Sequence, residues 1–225
     1  MSPRPKLKIG LVNNSQQGAP LKRLARVRTI LGSFPADVEM FQFSALPMER
    51  LAGHEFDCLM LAGSELNVSQ GAADMMGDEV RLIQETRHPL LAICYGHQLV
   101  LHAFGAKVMR NEGSREYNAP EGRDIRIKVA SDPEGLIGSR RPLVNVSHKD
   151  YVDPGDPIFG STFELRAVSV DGKKRYSQYA KHRQRPIFTL QFHPECSDGA
   201  SAEAKETGER VLFNFLKLAT MLRPD

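Results

Sequence analysis

The chain has 225 residues, 41% of them hydrophobic and 25% charged, and its 30 basic and 27 acidic residues leave a net charge of +3. That length suits one large domain, the composition can build a sizeable core and argues against wholesale disorder, and so small a charge excess says little about partners, among which no nucleic acid is expected. Cys58, Cys94 and Cys196 are too few and too widely spaced for a disulfide framework or a CxxC zinc site, and no segment approaches the roughly 18 apolar residues of a membrane span.

Residues Met1 to Lys8 are polar and carry no apolar signal core, so a reducing cytoplasm is the expected location, without membrane contact, metal or cofactor. Leu7 to Val12 reads as a first strand ending in the turn-like Asn13-Asn14-Ser15. A helix follows, with Leu21, Leu24, Val27, Ile30 and Leu31 on one face. The basic cluster Lys22, Arg23, Arg26 and Arg28 falls on it, either as a solvated face or as a docking surface for an acidic partner. Val38 to Phe43 is a second strand. Phe56 to Ala62 and Pro89 to Ile93 are nearly all apolar, as strands covered on both faces are. Met75 to Glu85 reads as a helix, and so does Tyr95 to Phe104 with Gly105 as its stop.

Strands alternating with helices imply a parallel sheet flanked by helices, an α/β fold. The second half shifts towards β, with short strands expected at Ile125 to Val129, Leu143 to Val146, Phe163 to Val170, Arg175 to Ala180 and Ile187 to Gln191. A final helix runs from about Ala202 to Leu218. Tyr151 to Gly160, with its Pro and Gly, reads as a surface loop, and residues 1–225 read as a single domain.

Cys94 lies where the strand ending at Ile93 must turn sharply into the next helix. Such a turn lifts a nucleophile from the sheet edge. It also aims helix N-terminal amides at the sulfur, which favours thiolate and can hold an oxyanion. Taken alone, Cys94 reads more readily as a small buried hydrophobe, as most free cysteines are. A thiol nucleophile needs a base, and the base an orienting group. His193 and Glu195, in Gln191-Phe192-His193-Pro194-Glu195, follow a strand directly and stand two residues apart. In an extended segment their side chains share one side.

Ala92-Ile93-Cys94-Tyr95-Gly96-His97-Gln98 resembles the G-x-C-x-G-x-Q nucleophile motif of class I glutamine amidotransferases, with Ala92 in place of the first Gly. His193-Pro194-Glu195 matches that family's second signature, and the order of elements matches over nearly the whole chain. The resemblance implies a Cys-His-Glu glutaminase: Cys94 the nucleophile, His193 the general base and acid, Glu195 its orienting carboxylate. It implies an oxyanion hole from the amides of Gly63, Ser64 and Tyr95, with Gln98 holding L-glutamine.

Further segments resemble the GMP synthetase branch: Cys94-Tyr95-Gly96, Ser114-Arg115-Glu116-Tyr117-Asn118, and Ser147-His148-Lys149-Asp150-Tyr151-Val152. By this resemblance Ser147 and His148 contact glutamine; without it they are a polar turn after a strand. Three places depart from the pattern. Gly63-Ser64-Glu65 replaces Gly-Gly-Pro, and a Gly-only dihedral at Ser64 would be strained. His97 stands where that branch has Met, and Cys196-Ser197-Asp198-Gly199 replaces a threonine-ending segment. No loop for ATP pyrophosphatase chemistry and no GxxxxGK[ST] loop occurs, so a separate synthetase subunit is expected to receive the ammonia. The alternatives are a stand-alone hydrolase of γ-glutamyl compounds and a non-catalytic regulatory protein; the intact Cys94, His193 and Glu195 argue against the latter.

Overall fold

The computed structural model describes residues 6–16, 21–112 and 122–222. The first half alternates as expected: β1 (Leu7–Asn13), α1 (Leu21–Gly32), β2 (Ala36–Gln42), the short α2 (Met48–Ala52), β3 (Cys58–Leu61), α3 (Gly77–Glu85), β4 (Leu90–Ile93) and α4 (Tyr95–Ala103). The second half contributes β5 (Val108–Arg110), β6 (Arg123–Arg126), β7 (Lys128–Val129), β8 (Leu143–Val146), β9 (Asp150–Val152), α5 (Ile158–Ser161), β10 (Phe163–Asp171), β11 (Lys174–His182), β12 (Ile187–Leu190) and α6 (Ala202–Met221).

Eight strands form one sheet in the order β2-β1-β3-β4-β12-β11-β10-β7. The first five are parallel, and β11, β10 and β7 extend the sheet antiparallel. Pairs β5–β9 and β6–β8 stand apart as two-stranded ribbons. Successive side chains of a strand point to opposite faces, so β3 serves two cores. Cys58 and Met60 pack towards α1 and α6, against Leu24, Val27, Val211 and Phe215. Leu59 and Leu61 pack towards α3 and α4, against Leu82, Ile83 and Leu99. Cover on both faces is why β3, β4 and β12 are buried at every position. Among the described residues, no helix is long and apolar enough to cross a membrane.

Two expectations are corrected. The segment from Tyr151 to Gly160 is not simply a surface loop: Tyr151 and Val152 are buried in β9, and α5 buries Ile158 and Phe159. Its Pro and Gly residues shape turns around this apolar content rather than exposing it. The strand expected from Ile125 to Val129 is two strands, because β6 pairs with β8 whereas β7 joins the edge of the large sheet at β10. The Ser114 to Asn118 segment lies outside the described residues.

Helix α6 is capped by Ser201, whose hydroxyl accepts from the Ala204 amide. It then presses its Gly208 against the backbone of Pro194, and a Cβ there would overlap the Pro194 carbonyl. This contact seats the turn that carries His193 and Glu195. Gly208→Ala is therefore expected to cost about 1–3 kcal/mol through overpacking, read as a lower urea midpoint. An unchanged midpoint would mean that α6 and the turn separate freely.

Candidate active site

The carboxyl ends of the neighbouring parallel strands β1, β3, β4 and β12 open into a cavity of 520 Å³ lined by Gly63, Ser64, Cys94, Tyr95, Gln98, His148, His193 and Glu195, among others. Open α/β sheets place ligands at that edge. In register, Leu190 faces Ile93 and Leu61 faces Ala92. The next residues along each chain therefore converge without long loops.

Cys94 has φ 51° and ψ −102°, a left-handed strain of order 1–3 kcal/mol for a residue with a Cβ. Its amide donates to the Leu190 carbonyl at 2.7 Å, and Gly96 lies so close to Leu61 that a Cβ would sit 3.0 Å from it. The strand pair and the absent side chain at Gly96 together hold the sharp turn. The Cys94 thiol faces the Ser147 carbonyl at 3.6 Å and the Gln191 side-chain amide at 3.8 Å.

His193 and Glu195 are both buried. Their approach does not come from an extended segment, as the two-residue spacing suggests. Pro194 and Glu195 form a turn, closed by the Cys196 amide on the His193 carbonyl at 3.1 Å. Within it His193 Nδ1 lies 2.7 Å from Glu195 Oε1. His193 Nε2 lies 3.3 Å from the Ser147 carbonyl, so both ring nitrogens face acceptors, the arrangement that a doubly protonated ring satisfies. Burial and the Arg23 charge pull the His193 pKa down. The charges of Cys94 and Glu195, with a side-chain hydrogen bond to Cys94, outweigh them and raise it to about 9. Burial alone would raise Glu195, but His193 holds it below the usual carboxylate range.

The loop after β3 crosses over this group. A Cβ at Gly63 would lie 3.1 Å from His193 Cε1 and 3.5 Å from Cys94 Cβ, so a side chain there would press on the His193 ring. Among the described residues with positive φ, the non-glycines are Cys94 and Cys196; Ser64 is not one of them, and the strain anticipated there is absent. Instead Ser64 Oγ donates to the Asn14 carbonyl at 2.7 Å and accepts from the Leu66 amide. Glu65 accepts from Ser15 Oγ and from the Gln16 amide. Side-chain bonds thus fasten this loop to the end of β1. The Gly63 and Ser64 amides donate to no acceptor among the described residues, and the Tyr95 amide belongs to the first turn of α4, where helices leave donors unpaired.

Gln98 lines the cavity, and its amide donates to the Asp150 carbonyl at 2.8 Å and to Gln191 at 3.2 Å. His148 is buried, with Nδ1 2.9 Å from the same carbonyl. At Ser147 it is the backbone carbonyl that meets Cys94 and His193. His97, the departure beside the nucleophile, is fully buried between Thr189 and Ser177 hydroxyls, and burial lowers its pKa to about 3. It ties α4 to β11 and β12 as a neutral ring.

Sequence reading missed Gln191, although it begins the His193 segment, and it missed Arg23 and Arg26. The helical pattern assigns those arginines to a polar face, but that face rims the cavity: Arg23 acts on His193 and Glu195, and Arg26 donates to the Cys196 carbonyl at 2.7 Å and pairs with Asp198. The signal was the helical spacing of basic residues next to the strand-end turn.

A histidine raised in the fold contributes stability that is fully present below its unfolded pKa, near 6.5, and is lost as the pH climbs through about 9. The unfolding free energy of wild type relative to His193→Gln is thus expected to shrink by on the order of 3 kcal/mol between about pH 6 and pH 10. Urea titrations of both proteins across that range measure it. A pH-independent difference would overturn the raised value.

Residues 25–218 match the family model for class-I glutamine amidotransferases. The chain is 31% identical over 182 residues to a subunit of the glutamine-hydrolyzing GMP synthase of Saccharolobus solfataricus, a match that covers 80% of this chain and 85% of that protein. It is 35% identical over 131 residues to the like-named protein of Pyrococcus abyssi, but that match spans only 58% of this chain and 60% of that protein. A crystal structure from Thermoplasma acidophilum, described as a GMP synthase subunit, superposes with a TM-score of 0.75 at 24% identity, covering 96% of this chain and 95% of that one. A glutamine amidotransferase from Thermotoga maritima superposes with a TM-score of 0.67 at 16% identity, over 95% and 97% of the two chains. With the fold and the matched span in agreement, this chain belongs to the class-I glutamine amidotransferases.

Proposed function

We propose that the chain is a glutaminase component that releases ammonia from L-glutamine for a separate synthetase subunit, of the GMP synthase type. The observation that carries this reading is the convergence of Cys94, the His193–Glu195 pair and the amides of Gly63, Ser64 and Tyr95 on one cavity.

In this mechanism glutamine places its side-chain amide over Cys94. His193, oriented by Glu195, already holds the thiol proton as an imidazolium, and the Cys94 thiolate attacks the amide carbon. The amides of Gly63, Ser64 and Tyr95 receive the oxyanion, for about 3 to 4 kcal/mol of barrier reduction. His193 then gives its proton to the departing ammonia, leaving a glutamyl thioester on Cys94. Water, deprotonated by His193, attacks the thioester; glutamate leaves and the thiol is restored. The Ser147 carbonyl, within reach of both Cys94 and His193, helps hold the two in line. Gln98 and His148, each tied to the Asp150 carbonyl, form the wall along which glutamine is held.

The cavity volume, 520 Å³, leaves space beyond one amino acid and favours a second reading, hydrolysis of larger γ-glutamyl compounds by the same residues.

The deciding measurement is glutamate release from L-glutamine by wild type and Cys94→Ala, each with and without the ATP-pyrophosphatase subunit of a GMP synthase. Loss of hydrolysis in Cys94→Ala, by at least roughly 10³-fold and with the fold retained, together with stimulation of wild type by the subunit, is expected. Cys94-dependent hydrolysis that ignores the subunit and prefers larger γ-glutamyl amides would favour the second reading. Full activity in Cys94→Ala would overturn the mechanism.

A further inference from the structure

Glu79, on α3, is completely buried, and neither of its carboxyl oxygens has a hydrogen-bond partner among the described residues. The Asn14 side chain lies beside it, and the Tyr95 phenol is near enough to feel its charge. Asn14 Oδ1 and the Tyr95 hydroxyl also lack partners among the described residues. An ionised carboxylate buried without a cation or donor is too costly to persist, and such a group keeps its proton instead. Burial pushes Glu79 up to about 8, outweighing the adjacent Asn14 side chain, which lowers it.

A neutral carboxyl carries the O–H donor that this group otherwise lacks. Asn14 is where it can be used. Its Nδ2 donates to the Ala62 carbonyl at 3.1 Å, leaving Oδ1 as an acceptor in need of a donor. Its backbone carbonyl accepts from Ser64 Oγ at 2.7 Å. Asn14 therefore grips the loop on both sides of Gly63, the residue packed against His193 and Cys94.

We propose that Asn14, backed by the carboxylic acid of Glu79, is a positioning residue that fixes the Gly63 and Ser64 amides where the oxyanion forms. It touches neither substrate nor sulfur. Its effect falls on the transition state and not on glutamine binding. The inference rests on the glutaminase reading above, in which those amides form the oxyanion hole.

The test compares wild type with Asn14→Leu, Glu79→Gln and Glu79→Leu under conditions where wild type hydrolyses glutamine. Two rates are followed: glutamine turnover, and alkylation of Cys94 by iodoacetamide, a reaction that forms no oxyanion. Asn14→Leu and Glu79→Leu are expected to lower kcat roughly 10- to 100-fold, with KM within about twofold and alkylation unchanged. Glu79→Gln keeps a donor and is expected to retain most of the activity that Glu79→Leu loses. If Asn14→Leu does not fold, Ser64→Ala removes the hydroxyl that bonds Asn14 and the Leu66 amide while keeping the Ser64 backbone amide, and is expected to lower kcat several-fold at unchanged KM.

Wild-type kcat in the leucine variants would overturn the proposal. So would a parallel loss of turnover and alkylation in folded protein, which would make these residues merely structural. The parent reading fails by a different result: glutamine hydrolysis that survives complete alkylation of Cys94.

Discussion

Cys94 and Gln191 are 97 residues apart in the chain, yet they are neighbours because β4 and β12 lie side by side in parallel. Backbone hydrogen bonds space such strands about 4.8 Å apart. With Leu190 opposite Ile93, the chain that leaves β12 runs beside the chain that leaves β4, and His193 reaches the sulfur after a short step. The Cys94 amide is itself held by the Leu190 carbonyl. The strained φ at Cys94 is thus tied directly to the strand that leads to His193. A one-residue slip in this pairing would reverse the faces of Phe188 and Leu190, which pack in the same core as α6. Hydrophobic register therefore also sets the distance between Cys94 and His193.

Around that pairing the site is held by backbone groups more than by side chains. The Ser147 carbonyl faces both Cys94 and His193, the Asp150 carbonyl receives Gln98 and His148, and the Asn14 and Ala62 carbonyls hold the loop that carries Gly63. Main-chain acceptors carry no titrating charge, so in the proposed mechanism the changing charge can be confined to the Cys94, His193 and Glu195 cluster. The Arg23 charge acts against the proton on His193 and so moderates how tightly the imidazolium is held. A base bound too strongly to its proton would return it reluctantly to leaving ammonia.

Much of this was legible in the sequence for a physical reason. Strands covered on both faces are apolar runs, which marked β3 and β4, whereas β12 read only as a short strand; Cys94 sits just past β4 and His193 just past β12. The site residues named from motifs come together because motifs record what strand ends present. What escaped has a different origin. β9 and the turn of α5 are too short to show a period, and their Pro and Gly residues dominate the local pattern. Arg23 and Arg26 look like a solvated helix face because helical periodicity describes a helix without its surroundings; the neighbouring strand ends turn that face into the rim of a cavity.

The departure at Gly63-Ser64-Glu65 illustrates the same limit from the other side. A loop without its usual glycine and proline invites the expectation of strain, because backbone freedom is read residue by residue. The fold meets the requirement by other means. The Ser64 hydroxyl and the Glu65 carboxylate reach the end of β1, where Asn14, Ser15 and Gln16 supply their partners. Rigidity that a proline would build into the loop is here supplied across it, by bonds between segments some 50 residues apart. Such a loop depends on its neighbour. Anything that displaces the end of β1 also displaces the amides above Cys94, which makes the buried polar contacts behind Asn14 part of the machinery of the site.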